Sequence, residues 1–352
     1  MKINDLFYEK ILDDMKNINN LYKISNFWSR GFELISDKLM NGNIKIFRKL
    51  KDTRKFFVPT YSIEGLNYFP EDFVREFESK IQSEHKKDQT LLESLKTGRH
   101  LAYADYRTFK AGDIDGFPYL DSCSESFIGN PIEQFTFDDK KFSRSMLNYI
   151  NGLVFLKRNI DTSEIFNVLE IGGGFGTLGE ILKNDPKRNY KYVNIDIPPT
   201  IYASSYYLSE LYKEKFKSCY DLEKENGKII LENNNFESTV LCPWQLPHLE
   251  GNFDLFVNFI SFQEMEPDIV INYINHISRL KCKFVLLRNI REGKNTKKNK
   301  DINTCVIEPI TTDFYIKEFT KKGYKLVNTN IIPYGFMTVD GFNSELILLR
   351  LK

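Results

Sequence analysis

The chain has 352 residues, of which 41% are hydrophobic and 28% are charged, and its formal net charge is +1. This composition supports a sizeable folded core and argues against wholesale disorder. The near-neutral charge argues against a nucleic-acid binder held by bulk electrostatics. No apolar run approaches membrane-spanning length, and residues 1–16 mix acids with lysines throughout, unlike a secretory signal. We therefore expect a cytoplasmic globular protein with no nucleic-acid partner and no membrane span.

Cysteine usage agrees with a reducing compartment. The five cysteines are odd in number, widely spaced and without a C-x-x-C pair: Cys123, Cys219, Cys242, Cys282 and Cys305. This pattern predicts reduced thiols rather than a disulfide framework or a zinc site. No cluster of His, Asp or Glu has metal-ligand spacing either, so we expect no metal.

The length suits a core of about 200 residues plus an appendage. Apolar stripes at helical spacing predict that residues 1–135 form a mainly helical substrate or cap region. Within it, the stretch from Ile44 to Tyr61 is rich in β-branched and aromatic residues and predicts one or two strands. Residues 136–352 are expected to form a Rossmann-like domain.

A polar motif precedes that domain. The segment Glu125–Pro131 places Gly129, Asn130 and Pro131 in succession, which indicates a fixed turn. Two interpretations stay open. The turn could close over a ligand, with Asn130 facing the substrate, or it could simply link two parts of the chain.

A glycine-rich turn is the strongest local signal. An apolar run ends at Ile171 and is followed by glycines and a helix-compatible stretch; the glycines are Gly172, Gly173, Gly174 and Gly176. Glycine lets a ligand approach the backbone because no Cβ intervenes, and a helix start supplies free N–H groups. The sequence therefore predicts a strand, a tight turn and a helix that hold a nucleotide-like molecule.

The identity of that molecule depends on the residues around the turn. Gly174, Gly176 and Gly179 satisfy the G-x-G-x-x-G dinucleotide pattern, but the apolar run ends two residues too early for it. Glu170 would also repel a pyrophosphate, whereas it would attract the ammonium group of S-adenosylmethionine (SAM). This balance favours SAM as the cofactor.

Downstream, predicted strands alternate with helices. The strands are expected at 192–196, 238–241, 253–260, 284–288, 324–333 and 345–351. Together with 168–171 they predict a doubly wound parallel sheet that includes one antiparallel strand. Ligands of such sheets bind at the carboxyl ends of the strands, so polar residues there are candidates for a site.

Several residues after the second and third strands are candidates for cofactor binding. Asp196 could accept both ribose hydroxyls or could cap the next helix, and Ile197 would lie against the adenine. After the third strand, Trp244 could stack on a ring or pack in the core.

The ends of the fourth and fifth strands supply candidates for chemistry. Glu264 could be the general base or a helix cap, and Gln263 could bind the substrate. Arg288 and Asn289 face the same predicted cleft, and His248 is a weaker candidate base.

A lysine-rich loop over residues 291–301 contains four lysines: Lys294, Lys297, Lys298 and Lys300. It is either a solvated loop or a lid that meets an anionic part of the substrate.

The combined motifs resemble a known family. The runs Val168–Gly176, Asn194–Pro198 and Phe253–Met265 resemble class I SAM-dependent methyltransferases over about 200 residues. The finer motifs Glu125–Pro131 and Ser261–Met265 are similar to the sugar O-methyltransferase family of bacterial polysaccharide gene clusters.

The resemblance also implies a contact after the third strand. In methyltransferases of similar sequence a polar or acidic residue usually follows this strand and contacts the adenine amino group. This chain has Cys242 there, so Gln245 or the backbone would have to serve.

This resemblance implies a seven-stranded Rossmann-like sheet and O-methylation of a sugar hydroxyl, on a nucleotide-linked sugar or a capsular glycan precursor. Two rivals remain: an NAD-dependent sugar oxidoreductase, and a catalytically silent methyltransferase-like partner subunit. A homo-oligomeric state is compatible with the sequence.

Overall fold

The structure is a computed structural model that describes residues 2–62, 71–84, 86–294, 306–337 and 341–352. Its first part is helical, as the sequence predicts, and its second part is built on a large sheet. The main helices, numbered in chain order, are α1 Asp5–Asp14, α2 Asn26–Leu39, α3 Lys51–Phe56, α4 Glu71–Ser83, α5 Lys86–Thr97, α6 Arg99–Gly112, α7 Arg144–Asn159, α8 Thr177–Lys183, α9 Thr200–Tyr212, α10 Pro267–Arg279 and α11 Thr312–Lys321. None of the described helices is both long and apolar enough to cross a bilayer.

The strands form one large sheet and two small pairs. In chain order they are β1 Phe135–Phe137, β2 Lys140–Phe142, β3 Asn167–Ile171, β4 Lys191–Ile195, β5 Phe216–Ser218, β6 Ile229–Ile230, β7 Ser238–Leu241, β8 Leu249–Glu250, β9 Leu255–Phe259, β10 Phe284–Ile290, β11 Tyr324–Asn330, β12 Phe336–Met337 and β13 Asn343–Leu351. β1 pairs with β2 as a hairpin, and β6 pairs with β8 in parallel.

The large sheet has the strand order β11-β13-β10-β9-β3-β4-β7-β5, with β12 paired to β13. Its strands are parallel from β10 to β5, and β13 runs antiparallel between β10 and β11. The α/β Rossmann-like fold class is therefore confirmed, including the antiparallel strand. The expected count of seven strands was too low for the described residues, because the short strands β5 and β12 extend the sheet to nine.

The prediction of strands between Ile44 and Tyr61 was wrong. This stretch contains a 3₁₀ turn at Asn43–Ile46 and helix α3. Its aromatic residues fill the core instead of a ladder: the Phe47 ring stacks on Phe57 at 6.2 Å between centroids and contacts Phe175 at 5.6 Å. Aromatic residues are frequent at buried positions as well as in strands, so their frequency alone does not predict a strand.

The N-terminal helices share a continuous core with the sheet. The ring of Tyr8 stacks on that of Tyr202, with centroids 4.8 Å apart and planes 8° from parallel. Farther along, the Tyr22 hydroxyl hydrogen-bonds to Nε2 of His276 over 2.8 Å. Both contacts join residues that lie far apart in the sequence, so the helical part is held against the sheet by tertiary packing.

The motif Glu125–Pro131 fastens this arrangement. Glu125 Oε1 lies 2.8 Å from Nη2 of Arg48, and both side chains are fully buried. Gly129 accepts a 2.9 Å hydrogen bond from the Arg48 N–H and has φ +80°, and a Cβ there would lie 2.4 Å from the Phe47 ring. Ser126 N–H also donates to Glu180 of α8 over 2.7 Å. Of the two interpretations of this motif, its contacts favour the structural link.

We expect Glu125→Ala to lower the free energy of unfolding by about 3–5 kcal/mol, because it leaves the Arg48 guanidinium buried without its counter-ion. Urea denaturation of the purified protein measures this change. The exposed pair Lys110–Asp121 offers a control, since Asp121→Ala is expected to cost less than about 1 kcal/mol. Equal losses in the two variants would contradict an anchoring role for the buried pair.

Candidate functional site

A cleft of about 240 Å³ opens at the carboxyl ends of the central parallel strands. Its floor is formed by the turns after β3, β4, β7 and β9 and by Arg288 near the end of β10. One wall comes from helix α7 and another from the N-terminal part of the chain, including α3 and the start of α2. This is the edge at which doubly wound sheets bind ligands.

The glycine turn after β3 forms the centre of the floor. Gly172 and Gly174 have φ values of +70° and +60°, and Gly172 N–H donates to Ile195 O over 2.7 Å. A Cβ on Gly174 would meet only Phe57 O, at 3.9 Å, so this part of the backbone faces open space. Gly172, Gly173 and Gly174 all line the cleft. Gly176 does not line it.

Gly176 instead permits close packing behind the turn. Its φ is +103°, and a Cβ there would lie 2.9 Å from the Leu208 side chain. Gly179 of the dinucleotide pattern has a similar role, since its Cβ would be 2.6 Å from Leu208 and 2.7 Å from Tyr192. Both glycines are thus explained by helix packing, without any ligand.

Asp196 fixes the turn from the neighbouring strand. Its Oδ2 accepts from Gly174 N–H over 2.9 Å and its Oδ1 from Ile197 N–H over 2.8 Å. Burial holds the pKa of this carboxyl well above its ordinary value. Asp196 and Ile197 line the cleft. The alternative role as a helix cap fails, because α9 starts at Thr200 with Pro199 in the cap position and no side-chain cap.

Glu170 lies beneath the turn and not in the cleft lining. The Tyr149 hydroxyl donates to its Oε1 over 2.6 Å, and the Tyr192 hydroxyl donates to its Oε2. Gly173 lies directly above it. Burial raises the pKa of Glu170 to about 7. The expected contact between this carboxylate and a ligand ammonium group is therefore corrected: both of its oxygens are occupied and covered by protein.

Glu264 lies in the 3₁₀ turn Ser261–Glu264 after β9 and lines the cleft. Its Oε2 accepts from Trp28 Nε1 over 3.0 Å, and its Oε1 lies 3.0 Å from Lys294 Nζ. The helix-cap alternative fails here too, because α10 begins at Pro267 with Glu266 in the cap position. Lys294 lies within the described residues, whereas Lys297, Lys298 and Lys300 lie outside them.

The neighbours of Glu264 in the sequence place little apolar surface beside it in the cleft. Met265 lines the cleft, but Phe262 is fully buried and stacks on Tyr273, with centroids 6.1 Å apart. The groups that contact the carboxylate are an indole N–H and an ammonium, so Glu264 is held by polar contacts.

Arg288 also lines the cleft, but six other predicted residues do not: Asn130, Trp244, Gln245, His248, Gln263 and Asn289. The side chains of three of these residues accept hydrogen bonds from backbone N–H groups. Gln245 Oε1 accepts from Cys242 N–H over 2.8 Å, Gln263 Oε1 accepts from Ile290 N–H over 2.7 Å, and Asn289 Oδ1 accepts from Gln263 N–H over 3.2 Å. These side chains brace the turns that form the floor.

The other three residues are explained by their positions. Asn130 lies in the turn beside Arg48 and has φ +53°. Trp244 is partly buried against the core, which favours its packing alternative. His248 is exposed at the end of the 3₁₀ helix Pro243–His248. Their predicted roles in ligand binding are therefore not reflected in the geometry of the cleft.

The structure adds lining residues that the sequence did not single out. Helix α7 contributes Ser145, Asn148 and Tyr149, and the N-terminal part contributes Trp28 and Lys55, among others. No motif marks these positions. Trp28 forms an apolar stripe at helical spacing with Phe32 and Ile35, and this pattern indicates burial but not the cleft.

No protein-family model matches the chain, and no curated protein matches it. Solved structures do match. Magnesium protoporphyrin IX methyltransferase from Synechocystis PCC 6803 with bound SAM is 13% identical, with 58% of this chain and 77% of that chain covered and a TM-score of 0.36. The 1,6-didemethyltoxoflavin-N1-methyltransferase of Burkholderia thailandensis, with its substrate and S-adenosylhomocysteine (SAH), is 13% identical, with 59% and 79% covered and a TM-score of 0.40. A SAM-dependent methyltransferase from Methanosarcina mazei is 12% identical, with 56% and 96% covered and a TM-score of 0.36.

The raised pKa of Glu170 leads to a pH prediction. An acid whose pKa rises on folding, here from 4.5 to about 7, stabilises the fold at low pH, and this contribution is lost as pH rises through that window. We expect the unfolding free energy of Glu170→Gln, relative to wild type, to increase by about 2–3 kcal/mol between pH 5 and pH 8.

Urea titrations of both proteins at several pH values measure this difference. Glu214→Gln, at an exposed position, serves as the control and should parallel wild type. A difference between Glu170→Gln and wild type that does not vary with pH would contradict the assignment.

Proposed function

We propose that this protein is a SAM-dependent methyltransferase that methylates a sugar hydroxyl. One observation carries the proposal: an open glycine turn and a strand-end carboxylate, Asp196, meet at one cleft and are joined by the Gly174 hydrogen bond. A nucleoside that carries an amino-acid tail needs backbone access at one end and a ribose acceptor at the other, and the cleft offers both.

The residues present fit this cofactor. An ionised carboxylate has about four lone-pair sites, so Asp196 can keep its two backbone donors and still accept two ribose hydroxyls. Those hydroxyls would favour the ionised form and so oppose the pKa rise caused by burial. Ile197 and Pro243 provide apolar surface in the same cleft for the adenine ring.

The structure favours this cofactor over NAD. In the dinucleotide fold the strand order is 3-2-1-4-5-6, whereas here the last strand β13 inserts antiparallel between β10 and β11. A pyrophosphate at the glycine turn would also lie beside the Asp196 carboxyl group, which lines the cleft. The basic groups that line the cleft belong to other elements.

A sugar acceptor is supported by the resemblance of Glu125–Pro131 and Ser261–Met265 to the sugar O-methyltransferase family. Polar side chains also line the cleft beyond the cofactor region, among them Ser145, Asn148 and Arg288. Such groups suit a hydroxylated ligand, whether a nucleotide-linked sugar or a surface-polysaccharide precursor.

In the proposed reaction SAM supplies a methyl group already activated by its sulfonium. The protein mainly aligns the acceptor oxygen with that methyl, because positioning is the larger part of such a displacement. The oxygen–carbon bond forms as the carbon–sulfur bond breaks, and SAH leaves. Glu264 accepts the hydroxyl proton through a lone pair that Trp28 and Lys294 do not use.

Calorimetric titration tests the cofactor assignment. We expect SAH to bind and NAD not to bind. Asp196→Asn should weaken SAH binding by about 1.5–3 kcal/mol through loss of charge-assisted hydrogen bonds, while the amide oxygen still holds a backbone N–H.

Asp254→Asn is the matched control, since this carboxylate also accepts two backbone N–H groups at 2.9 Å, but at the opposite end of β3. Tight NAD binding without SAH binding would overturn the proposal. Absence of both would favour the catalytically silent subunit. Unchanged SAH affinity in Asp196→Asn would remove Asp196 from the site.

The role of Glu264 is tested by Glu264→Gln. Loss of the base should lower turnover about 10²–10⁴-fold and leave SAH affinity nearly unchanged, because the shape is kept. SAH release in the presence of a panel of nucleotide sugars reports turnover. Trp28→Phe is the control: it removes one hydrogen bond to Glu264 but keeps the carboxylate, so its loss should be smaller. Turnover near wild type in Glu264→Gln would assign this residue to structure.

A further inference from the structure

Arg288 is a buried cation at the floor of the cleft, and no residue that the structure describes supplies its counter-ion. Only 1% of its surface is exposed, and it lines the cleft. Its Nη1 donates to Asn148 O over 2.8 Å and its Nη2 donates to Tyr334 O, while its buried Nε has no partner. Among the described residues, no carboxylate lies within ion-pair distance of it.

The contrast with Arg48 shows what is missing. Arg48 is equally buried and has Glu125 at 2.8 Å. A buried charge without such a partner costs several kcal/mol, because water is removed and no ion replaces it. Burial accordingly lowers the pKa of Arg288 to about 10. The unpaired guanidinium is therefore a cost that an anionic ligand would offset.

The nearest acid does not fill this role. Asp105 interacts electrostatically with Arg288 but makes no ion pair with it. The Asp105 carboxyl accepts the Tyr61 hydroxyl, and burial raises its pKa. Tyr149 and the aromatic ring of Phe259 also flank the guanidinium, and Phe259 lies 5.1 Å below it. None of these groups carries a full negative charge within contact distance.

The strand order places Arg288 on the acceptor side of the cleft. It lies on β10, which is separated from β3 by β9 and from β4 by two strands. Neighbouring strands are about 4.8 Å apart, so Arg288 is roughly 10 Å from the glycine-turn strand and roughly 14 Å from the Asp196 strand. The proposed cofactor occupies the β3–β4 side.

The other charged side chains around the cleft also favour an anionic ligand. Exposed Lys23 and Lys55 line it from the N-terminal part of the chain. Lys294 balances the charge of Glu264, and Asp196 lies on the cofactor side. Low-dielectric walls focus such a field, which attracts anions into the cleft.

From this geometry we infer that the methyl acceptor carries an anionic group, a carboxylate or a phosphate, that pairs with Arg288. The inference rests on the proposed function, because it assigns the far end of the cleft to the acceptor. A guanidinium is suited to this role since its planar fork matches both kinds of oxyanion.

The test is a titration of SAH-saturated protein with three sugars that differ in charge: glucose, glucuronate and glucose 1-phosphate. We expect at least one charged sugar to bind about tenfold or more tighter than glucose. Whichever charged sugar binds more tightly distinguishes a carboxylate acceptor from a phosphate acceptor. The preference should disappear in Arg288→Met, with SAH affinity unchanged.

Arg158→Met is the matched control, because Arg158 is exposed and donates to a backbone carbonyl, Gly112 O, at 3.1 Å. It should keep the preference. If Arg288→Met fails to fold, Arg288→Lys serves instead: it keeps the charge but loses the fork, so the charged sugar should weaken about fivefold and glucose should not.

Charged sugars that bind no better than glucose, a preference that survives Arg288→Met, or a charged-sugar affinity that Arg288→Lys leaves unchanged would overturn the inference. Its failure is distinguishable from failure of the proposed function, which would show as a lack of SAH binding before any sugar is added.

Discussion

The cleft depends on the absence of a side chain at Gly173. A Cβ there would lie 2.4 Å from Glu170 Oε2 and 2.6 Å from Asn194 Oδ1, so the turn lies directly on two polar oxygens. Asn194 Oδ1 accepts the Gly173 N–H over 3.2 Å. This close stacking brings the next N–H, on Gly174, to Asp196. Glu170, beneath the turn, thus supports it and determines the shape of the cleft floor, and Asp196, beside the turn, lines the cleft.

The N-terminal part completes the cleft that the sheet begins. A Rossmann-like sheet supplies turns at one edge, but those turns alone leave the edge open to water. Here Phe57 reaches the glycine turn, and Trp28 reaches Glu264. The buried pair Arg48–Glu125 holds this wall in place from behind. The walls lower the local dielectric, which strengthens the interactions of Arg288 and Asp196 with any charged partner.

The sequence predicted the sheet well because its signals are local. Each apolar run with a polar end became a strand, and Asp196 and the three leading glycines occupy the expected edge. The partners of Glu264 could not be predicted, since Trp28 lies 236 positions away and only the tertiary fold joins them. Gln263 and Asn289 illustrate a second limit: polar residues at strand ends serve backbone groups as readily as ligands. The stretch from Ile44 to Tyr61 illustrates a third limit. Its aromatic residues pack in the core between helical segments and do not form a strand.

The contacts between distant parts of the chain also bear on how it is synthesised. Tyr22 meets His276 across 254 positions, and Trp28 meets Glu264 across 236. The N-terminal helical residues therefore leave the ribosome long before the residues that they contact have been synthesised. Apolar residues such as Phe7 and Ile35, fully buried at the end, have no sheet to cover them during that interval. Contacts of such high sequence separation form late and slowly, so the nascent helical part exposes apolar surface that favours aggregation until the sheet has formed.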